Sequence, residues 1–590
     1  GVAYRADGVL AGVLYFSGTR LVKLSGEKFE VLDGFITSCA GDRPPWAFRC
    51  DRASVEIEKF AVVHSPSFRI ANMPAAYLPY FVFPAKRERA TGFLFPRIGM
   101  SNRDGFTLEN AFFWAIAANQ DATFGVDYLS NRGVRPKIEY RYIFSPVISG
   151  QLNASYLGDE RTGENYYKVL YTHDHRFMGD VRSKLKLDTE SDVSESKEFE
   201  SNIDIRSRRA TDSSLVISKN FENRSFQLNA RWYDSIQLGF DQSFGRLPEV
   251  TFTNSLERIR NTPLFFRLDS SLVNFLRESG GVSENVARFD VWPRISLPMT
   301  KHPYLTVVPE VGFRPTYYSG QQTSSDGVSR ETGIIQTTVS GPIFERVFNV
   351  GFGRITRIKH RIEPSVAYQY EDYMFGNDRE EMQKVHGFAR VGSLDRTNLL
   401  TYGFVNRFLA QERTEGGSLA VREIGRLTIE QRFDIRESRT KGGGESRPFS
   451  EVGMDLETRL WPSVIFNVDS SYDVYENVVN SVNLEVGFVL MDRITAQYDR
   501  RYARPGGAFT SVGASYKFLD RWRLAFESRY DGNREEFVQN TFGLDYTGQC
   551  WGISWQVLDR RDETSFAFLV NLKELGSVGA GTPMRVGPQL

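Results

Sequence analysis

The sequence predicts an all-β protein: a large antiparallel transmembrane β-barrel of about 24–26 strands behind a small N-terminal β-domain of jelly-roll type. Three observations predict it. The composition suits extended chain with many turns: aromatics reach 13%, with 45 Phe and 26 Tyr, beside 50 Gly and only 3 Cys and 9 Met. A period-two alternation of apolar and polar residues persists from about residue 90 towards the C-terminus. The hydrophobic residues, 41% of the chain, are spread so that no run approaches the roughly 18 apolar residues of a membrane-crossing helix. Composition alone fits a soluble β-sandwich array or a β-solenoid adhesin equally well. The alternation decides for the barrel.

The first residues, Gly1-Val2-Ala3-Tyr4, enter in mid-pattern with no charged–apolar–small leader, so a processed or truncated chain is expected. Residues 1–85 read as a domain of their own. Val13-Leu14-Tyr15-Phe16, Phe29-Glu30-Val31 and Ser54-Val55-Glu56-Ile57 are short strands divided by Gly, Asp and Lys turns. Met73-Pro74 and Leu78-Pro79-Tyr80-Phe81-Val82-Phe83-Pro84 follow. Proline lacks a ladder donor, so this stretch is an edge or an interdomain connector.

Residues 86–575 carry the alternation. Phe124, Val126 and Tyr128 fall opposite Thr123, Gly125 and Asp127, and Ile138, Tyr140, Tyr142 and Phe144 opposite Lys137, Glu139 and Arg141. The same holds for Phe226 to Trp232, Val482 to Phe488, Trp522 to Phe526 and Phe566 to Leu572. A packed sandwich core does not tolerate Arg, Lys, Glu and Asn repeated on its second face, whereas a water-filled lumen does. At about 20 residues per strand and turn, roughly 480 residues give the expected strand number. Asp188 to Asn202, Gly320 to Gly333 and Arg439 to Pro448 read as loops, long on one side of the barrel as outer-membrane barrels have them. Residues 576–590 form a Gly-rich tail expected to be pendant or poorly ordered.

Lys+Arg and Asp+Glu are 73 each, so there is no basic surplus to offset phosphates and nucleic-acid binding is not expected. No chemistry is marked either. There is no Gly-x-Ser-x-Gly elbow, phosphate loop or His-Glu-x-x-His, and the Gly442-Gly443-Gly444 run lies between charges as a flexible loop. His173 and His175 share a strand face, but without Cys or carboxylates at ligand spacing they read as a polar face, not a metal site. The expectation is a protein that is not an enzyme, with no metal, no catalytic residue and no cofactor. Cys39, Cys50 and Cys550 fit one long-range disulfide plus a spare thiol in an oxidising compartment.

Four segments, in order, carry a resemblance. The first is Asp33-Gly34-Phe35-Ile36-Thr37-Ser38-Cys39 with Pro44-Pro45-Trp46. The second is the Leu78 to Pro84 stretch, then Lys86-Arg87-Glu88-Arg89 and Thr91-Gly92-Phe93-Leu94-Phe95-Pro96 running on to Phe106. The third is Lys359-His360-Arg361-Ile362-Glu363-Pro364 with Tyr368-Gln369-Tyr370, and the fourth is Asn406-Arg407-Phe408-Leu409 with Val421-Arg422-Glu423. Together they resemble the outer-membrane lipopolysaccharide-assembly protein D family, also called organic-solvent-tolerance protein.

The resemblance implies an outer-membrane translocon of a Gram-negative bacterium. Its N-terminal jelly roll, of which residues 1–85 are the C-terminal part, stands in the periplasm and receives lipopolysaccharide from a bridge protein of similar β-fold. The lipid leaves through a lateral gate between first and last barrel strands. The implied partners are lipopolysaccharide, that bridge, a plug lipoprotein (assembly protein E), the barrel-assembly machinery and the outer membrane itself. No nucleotide site is visible, so energy comes from elsewhere. The implied gate lies at Phe93, Phe95 and Pro96, in a first strand around Phe93 to Asn102, facing Phe566 and Phe568 in the last; Pro96 removes a ladder donor there, unless it merely starts the strand. The family's interdomain disulfide maps onto Cys39 and Cys550, a local Cys39–Cys50 bridge being the alternative. The family often has two adjacent distal cysteines where this chain has one. The competing functions are a passive porin or receptor barrel, which needs neither the connector nor the long-range cysteine pair, and a lipid-modifying enzyme, which needs a Ser/His/carboxylate cluster.

Overall fold

The computed structural model describes residues 1–590 apart from 11–13, 42–43, 57–59, 78, 85–90, 95, 192–194, 200–202, 207, 237–241, 303, 320–326, 377–395, 415, 440–445, 462, 562, 573–575 and 580–590. Leu78, the basic Lys86 to Arg89 segment, Phe95 and the Gly442 to Gly444 run therefore lie outside the described residues. The chain falls into two compact units: one joins Gly1–Thr172 to Tyr516–Phe526 and Gln539–Arg585, and the other is built mainly from His173–Ser515.

The N-terminal residues form an antiparallel sheet of eight strands. Val2–Leu10, Leu14–Ser25, Lys28–Thr37, Trp46–Glu56, Phe60–His64 and Tyr80–Pro84 lie side by side in that order, while Ser67–Ile70 pairs with Trp46–Glu56 and with Met73–Tyr77. Val31, Ala53 and Val63 make its core, with Leu21, Cys50 and Val55 packed against them. The proline-rich segments occupy the edges: Tyr80–Pro84 has one neighbour, and so has Met73–Tyr77. A missing N–H there breaks no central ladder.

The second sheet runs strand by strand from Arg97–Ser101 to Glu563–Leu572, and these two strands pair with each other, closing a 26-stranded antiparallel barrel among the described residues. Two hairpins prolong the wall by extra strands, Met299–His302 and Phe344–Phe352. The alternation is inside-out relative to a soluble protein. On Gln120–Leu129, Phe124, Val126 and Tyr128 are 43%, 47% and 48% exposed, while Asp121 and Asp127 are 2% and 3%. In the other unit Phe289 is exposed and its neighbour Asp290 is buried against Arg314, 2.9 Å away. Apolar outside and paired charges inside is the arrangement a lipid surround requires, and strands of a closed sheet satisfy one another's backbone groups. The last strand has 10 residues, about 33 Å of extended chain against a hydrocarbon core of roughly 30 Å.

Three loop and tail expectations need correction. The Asp188 to Asn202 region begins as strand, to Glu190, and contains a short helix, Glu195–Phe199, with a second, Ile203–Arg206, just past its end. The Gly320 to Gly333 loop ends early, because Val328–Ser340 is already strand, paired along Leu305–Tyr318. Within the expected pendant tail, Gly576–Gly579 turns back as a strand onto Leu569–Leu572. Backbone pairing, which polar composition does not report, decides all three.

Candidate functional site

Among the described residues, the seam between first and last wall strands is paired more sparsely than the line on either side of it. Glu563–Leu572 makes ten register pairs with Trp551–Arg560 on one side. On its other side it makes three with the first strand: Gly99 with Ala567, Met100 with Phe566 and Ser101 with Ser565. Beyond them the Asn102 N–H donates to the Thr564 carbonyl (3.2 Å), and the Thr564 N–H donates to Asn102 Oδ1 (3.0 Å). In the other direction pairing stops. Leu569 to Leu572 bond to Gly576–Gly579 instead, so the chain's own C-terminal turn occupies the edge that the first strand would take.

Proline explains where the first strand breaks. Gly92–Phe93 pairs with Gly105–Ala117 on one side and neighbours Gly576–Gly579 on the other, and Leu94 N–H still donates to the Ala111 carbonyl (2.8 Å). Pro96 then intervenes, and the wall strand proper is Arg97–Ser101, 5 residues. The expected first strand, Phe93 to Asn102, is thus corrected to two pieces with Pro96 immediately before the second. Five residues cover about 17 Å, half of the hydrocarbon thickness. Phe566 stands opposite Met100 in register; Phe568 has no partner on the first strand, and Phe93 packs edge-on against Phe112, 5.2 Å between centroids. Phe93, Met100, Phe566 and Phe568 are all exposed.

At the end of the seam where Gly576–Gly579 lies between the last strand and Gly92–Phe93, the N-terminal sheet is stapled to the wall. Cys39 and Cys550 form a disulfide, with Cα atoms 5.1 Å apart and a sequence separation of 511. The Thr-Ser-Cys turn is built for it. The Thr37 hydroxyl donates to the Trp46 carbonyl (2.7 Å) and accepts from the Cys39 N–H (3.1 Å). Trp46, buried, donates its indole N–H to the Cys550 carbonyl (3.3 Å). Phe48, Phe68, Trp551, Val570 and Leu572 pack around this group, so apolar side chains of the N-terminal sheet meet the lower part of the last strand.

Cys50 is free, which removes the Cys39–Cys50 alternative. It lies inside the N-terminal core, and its sulfur sits 2.8 Å from where a side chain on Gly34 would begin. Burial, outweighing a backbone hydrogen bond from Gly34, pushes its pKa from 9.0 to about 11. Because the neutral thiol is favoured in the fold, that stabilisation is present below pH 9.0 and is lost as pH rises towards about 11. Iodoacetamide at pH 8 should alkylate Cys50 at least about tenfold more slowly in the folded protein than in urea. Equal rates would mean that the thiol is neither buried nor shifted.

The far end of the seam carries buried charge. Arg103 meets Asp104 at 3.1 Å and Glu563 of the last strand at 3.3 Å; Arg132, fully buried, meets Asp104 at 3.2 Å and Asp159 at 2.7 Å. Burial raises the Asp159 carboxyl, but the hydrogen bonds from Arg132 and the Arg161 N–H outweigh it and hold the group below its ordinary value. These residues escaped the sequence reading. Asn102-Arg103-Asp104 was visible as part of a motif, but charges are so frequent on inward faces that nothing singled these out.

The two mid-chain motifs meet on neighbouring strands. Arg407 bridges Glu363 (3.4 Å) and Glu423 (2.9 Å), with Arg361 on Glu363 and Arg426 on Glu423, on the face opposite exposed Val366 and Phe404. On the outer face the His360 ring stacks on Phe408 at 4.5 Å, its Nε2 3.0 Å from Asn406 Oδ1. Farther along the wall, a cavity of about 1140 Å³ is lined by Asp455, Glu457, Asp469, Glu485, Asp499 and Arg501 among others. His173 and His175 lie edge to face, 5.9 Å apart, and among the described residues no His/Cys/Asp/Glu group is arranged to hold a metal.

The comparisons agree on one family. Residues 164–511 match the family described as LPS transport system D, and residues 62–261 match a second described as LptD protein. The LPS-assembly protein LptD of Shewanella frigidimarina is 26% identical, over 93% of this chain and 75% of its own length. That of Idiomarina loihiensis is 24% identical, over 93% and 74%. Among solved structures, the siderophore receptor PirA from Pseudomonas aeruginosa covers 88% of this chain and 86% of its own at 9% identity, with a TM-score of 0.28 that decides nothing.

Proposed function

The chain belongs to the LPS transport system D family, and from that premise we propose that it inserts lipopolysaccharide into the outer leaflet through the seam between its first and last wall strands. It is an outer-membrane barrel of a family that transports lipopolysaccharide. The single observation that supports a lateral exit is the seam's pairing, three residues against ten on the next line. Counting the four pairs with Gly576–Gly579, the seam edge of the last strand has three fewer ladder pairs than its other edge, weaker by on the order of 3 kcal/mol at about 1 kcal/mol each.

In this reading the N-terminal sheet stands in the periplasm and receives lipopolysaccharide from a periplasmic bridge of similar β-fold. The aromatic cluster of Trp46, Phe48 and Phe68 beside Val570 and Leu572 then hands acyl chains to the half of the seam that only Gly576–Gly579 bridges, so they never enter water. The charged inward face takes the glycan. A barrel of this strand number encloses a lumen too wide for side chains to fill, which suits a plug lipoprotein, assembly protein E. The barrel-assembly machinery installs the wall. Phe93, Pro96, Phe566 and Phe568 line the gate.

A photo-crosslinking residue at Phe568 should capture lipopolysaccharide in growing cells, while one at exposed Phe289, far along the wall, captures at least about tenfold less. Equal capture at both positions, or none at Phe568, would return the chain to the porin class.

A further inference from the structure

The two ends of the seam are closed differently. At the disulfide end the first strand is broken by Pro96, and only the four residues of Gly576–Gly579 join the last strand to Gly92–Phe93. At the opposite end a chain of charges crosses it: Glu563 to Arg103 (3.3 Å), Arg103 to Asp104 (3.1 Å), Asp104 to Arg132 (3.2 Å) and Arg132 to Asp159 (2.7 Å). Each half is mounted in its own part of the wall. Arg132 lies over the Tyr166 ring at 5.1 Å, and Arg161 Nη1 donates to the Arg103 carbonyl at 3.5 Å, so Arg103 is held by the turns that follow the first strand. Glu563 is held from behind by Arg560 (3.5 Å), whose Nε donates to Gln539 Oε1 (3.1 Å), and Thr564 donates its hydroxyl to Asp559 (2.9 Å).

Burial makes this group an all-or-none device. The side chains of Arg103 and Glu563 are 11% and 9% exposed, and those of Arg132 and Asp159 are 0% exposed. An exposed ion pair across a strand boundary contributes little. A buried one, once separated, leaves charges without solvent or partner, and that strongly opposes partial opening. We propose that the Arg103–Glu563 pair and its Asp104–Arg132–Asp159 support are a latch that keeps the far end of the seam shut, so that the seam parts from the disulfide end alone. This rests on the lateral-exit reading and deepens it. The opening is a wedge hinged at the latch, which admits acyl chains at the membrane while keeping the barrel closed at its far rim.

The test uses the whole protein in outer membranes, in a Cys50→Ala background. Cysteine pairs are placed at Met100 and Phe566, beside the latch, and at Ile98 and Phe568, below it. Copper-phenanthroline should join the first pair quickly and the second slowly. Glu563→Gln, which keeps size and removes the charge, should slow the first pair at least about threefold and raise the cell's uptake of a large hydrophilic antibiotic. The exchange Arg103→Glu with Glu563→Arg should restore both. Arg560→Gln, which breaks a bond within the last hairpin and not across the seam, should leave the first pair fast. An unchanged first-pair rate in Glu563→Gln, with the Cys39–Cys550 bond intact as proof of folding, overturns the latch. So does a failure of the exchanged pair to rescue. Lipopolysaccharide capture at Phe568 is read separately: capture with an unchanged rate sinks the latch alone, and lost capture with a slowed rate sinks the lateral exit and leaves the latch standing.

Discussion

A disulfide engineered between Gly99→Cys and Ala567→Cys should stop lipopolysaccharide delivery to the cell surface, by at least about tenfold, in a barrel that is otherwise fully assembled. The two positions face each other in register, where antiparallel Cα atoms stand about 4.5–5.5 Å apart, within reach of a disulfide. Both native residues are small, so the cysteines displace little. The bond replaces a line of three pairs by a covalent one, and no acyl chain passes between strands that cannot part. Cys50→Ala must accompany the pair, since a third thiol invites mispairing. The measurement is surface lipopolysaccharide in a strain depleted of the wild-type chain, with and without reductant. Delivery that continues with the pair fully oxidised would place the exit elsewhere, in the lumen or at another strand line. A porin has no stake in this bond, so conductance through the lumen should survive it.

The barrel was legible in the sequence because lipid imposes a strict period: wherever Phe124, Val126 and Tyr128 face outward, Asp127 must face inward. Its strand number followed from length. What escaped depended on which strand meets which. Pro96 marked the region of the seam, but the stopping point of the pairing is set by Gly576–Gly579 covering the last strand, and a Gly-Ser-Val-Gly tail announces no partner. Val328 to Gly333 looked like loop because Ser329, Arg330, Glu331 and Thr332 follow one another, whereas only Arg330 and Thr332, both buried, share the inward face. The charges of the far rim were hidden among 73 basic and 73 acidic residues. The Cys39–Cys550 link came through resemblance, because residue spacing says nothing about contacts 511 residues apart. Cys50 was left over for a physical reason: it is core.

Replacing Trp46 should have the second largest effect, on the staple between the N-terminal sheet and the wall. The indole sits against Phe48 and Phe68, ring centroids 6.0 and 6.3 Å away, and its N–H holds the Cys550 carbonyl at 3.3 Å. Trp46 is a positioning residue: it brings the backbone of one cysteine to the turn that carries the other. Trp46→Ala removes a buried aromatic, about 3–5 kcal/mol, and a hydrogen bond of about 1 kcal/mol. That is similar to what the cross-link contributes, roughly 5 kcal/mol for so long a loop, so docking and oxidation should fail together. The fraction of chains carrying the Cys39–Cys550 peptide, mapped by non-reducing digestion and mass spectrometry, should fall several-fold. The N-terminal sheet should become sensitive to protease while the wall stays resistant. Trp46→Phe keeps the ring packing and loses only the donor, so its bridge should form nearly as in the parent, more slowly. If Trp46→Ala oxidises as completely and as fast as the parent, the cysteines find each other without the indole, and the aromatic cluster serves the passage of acyl chains alone.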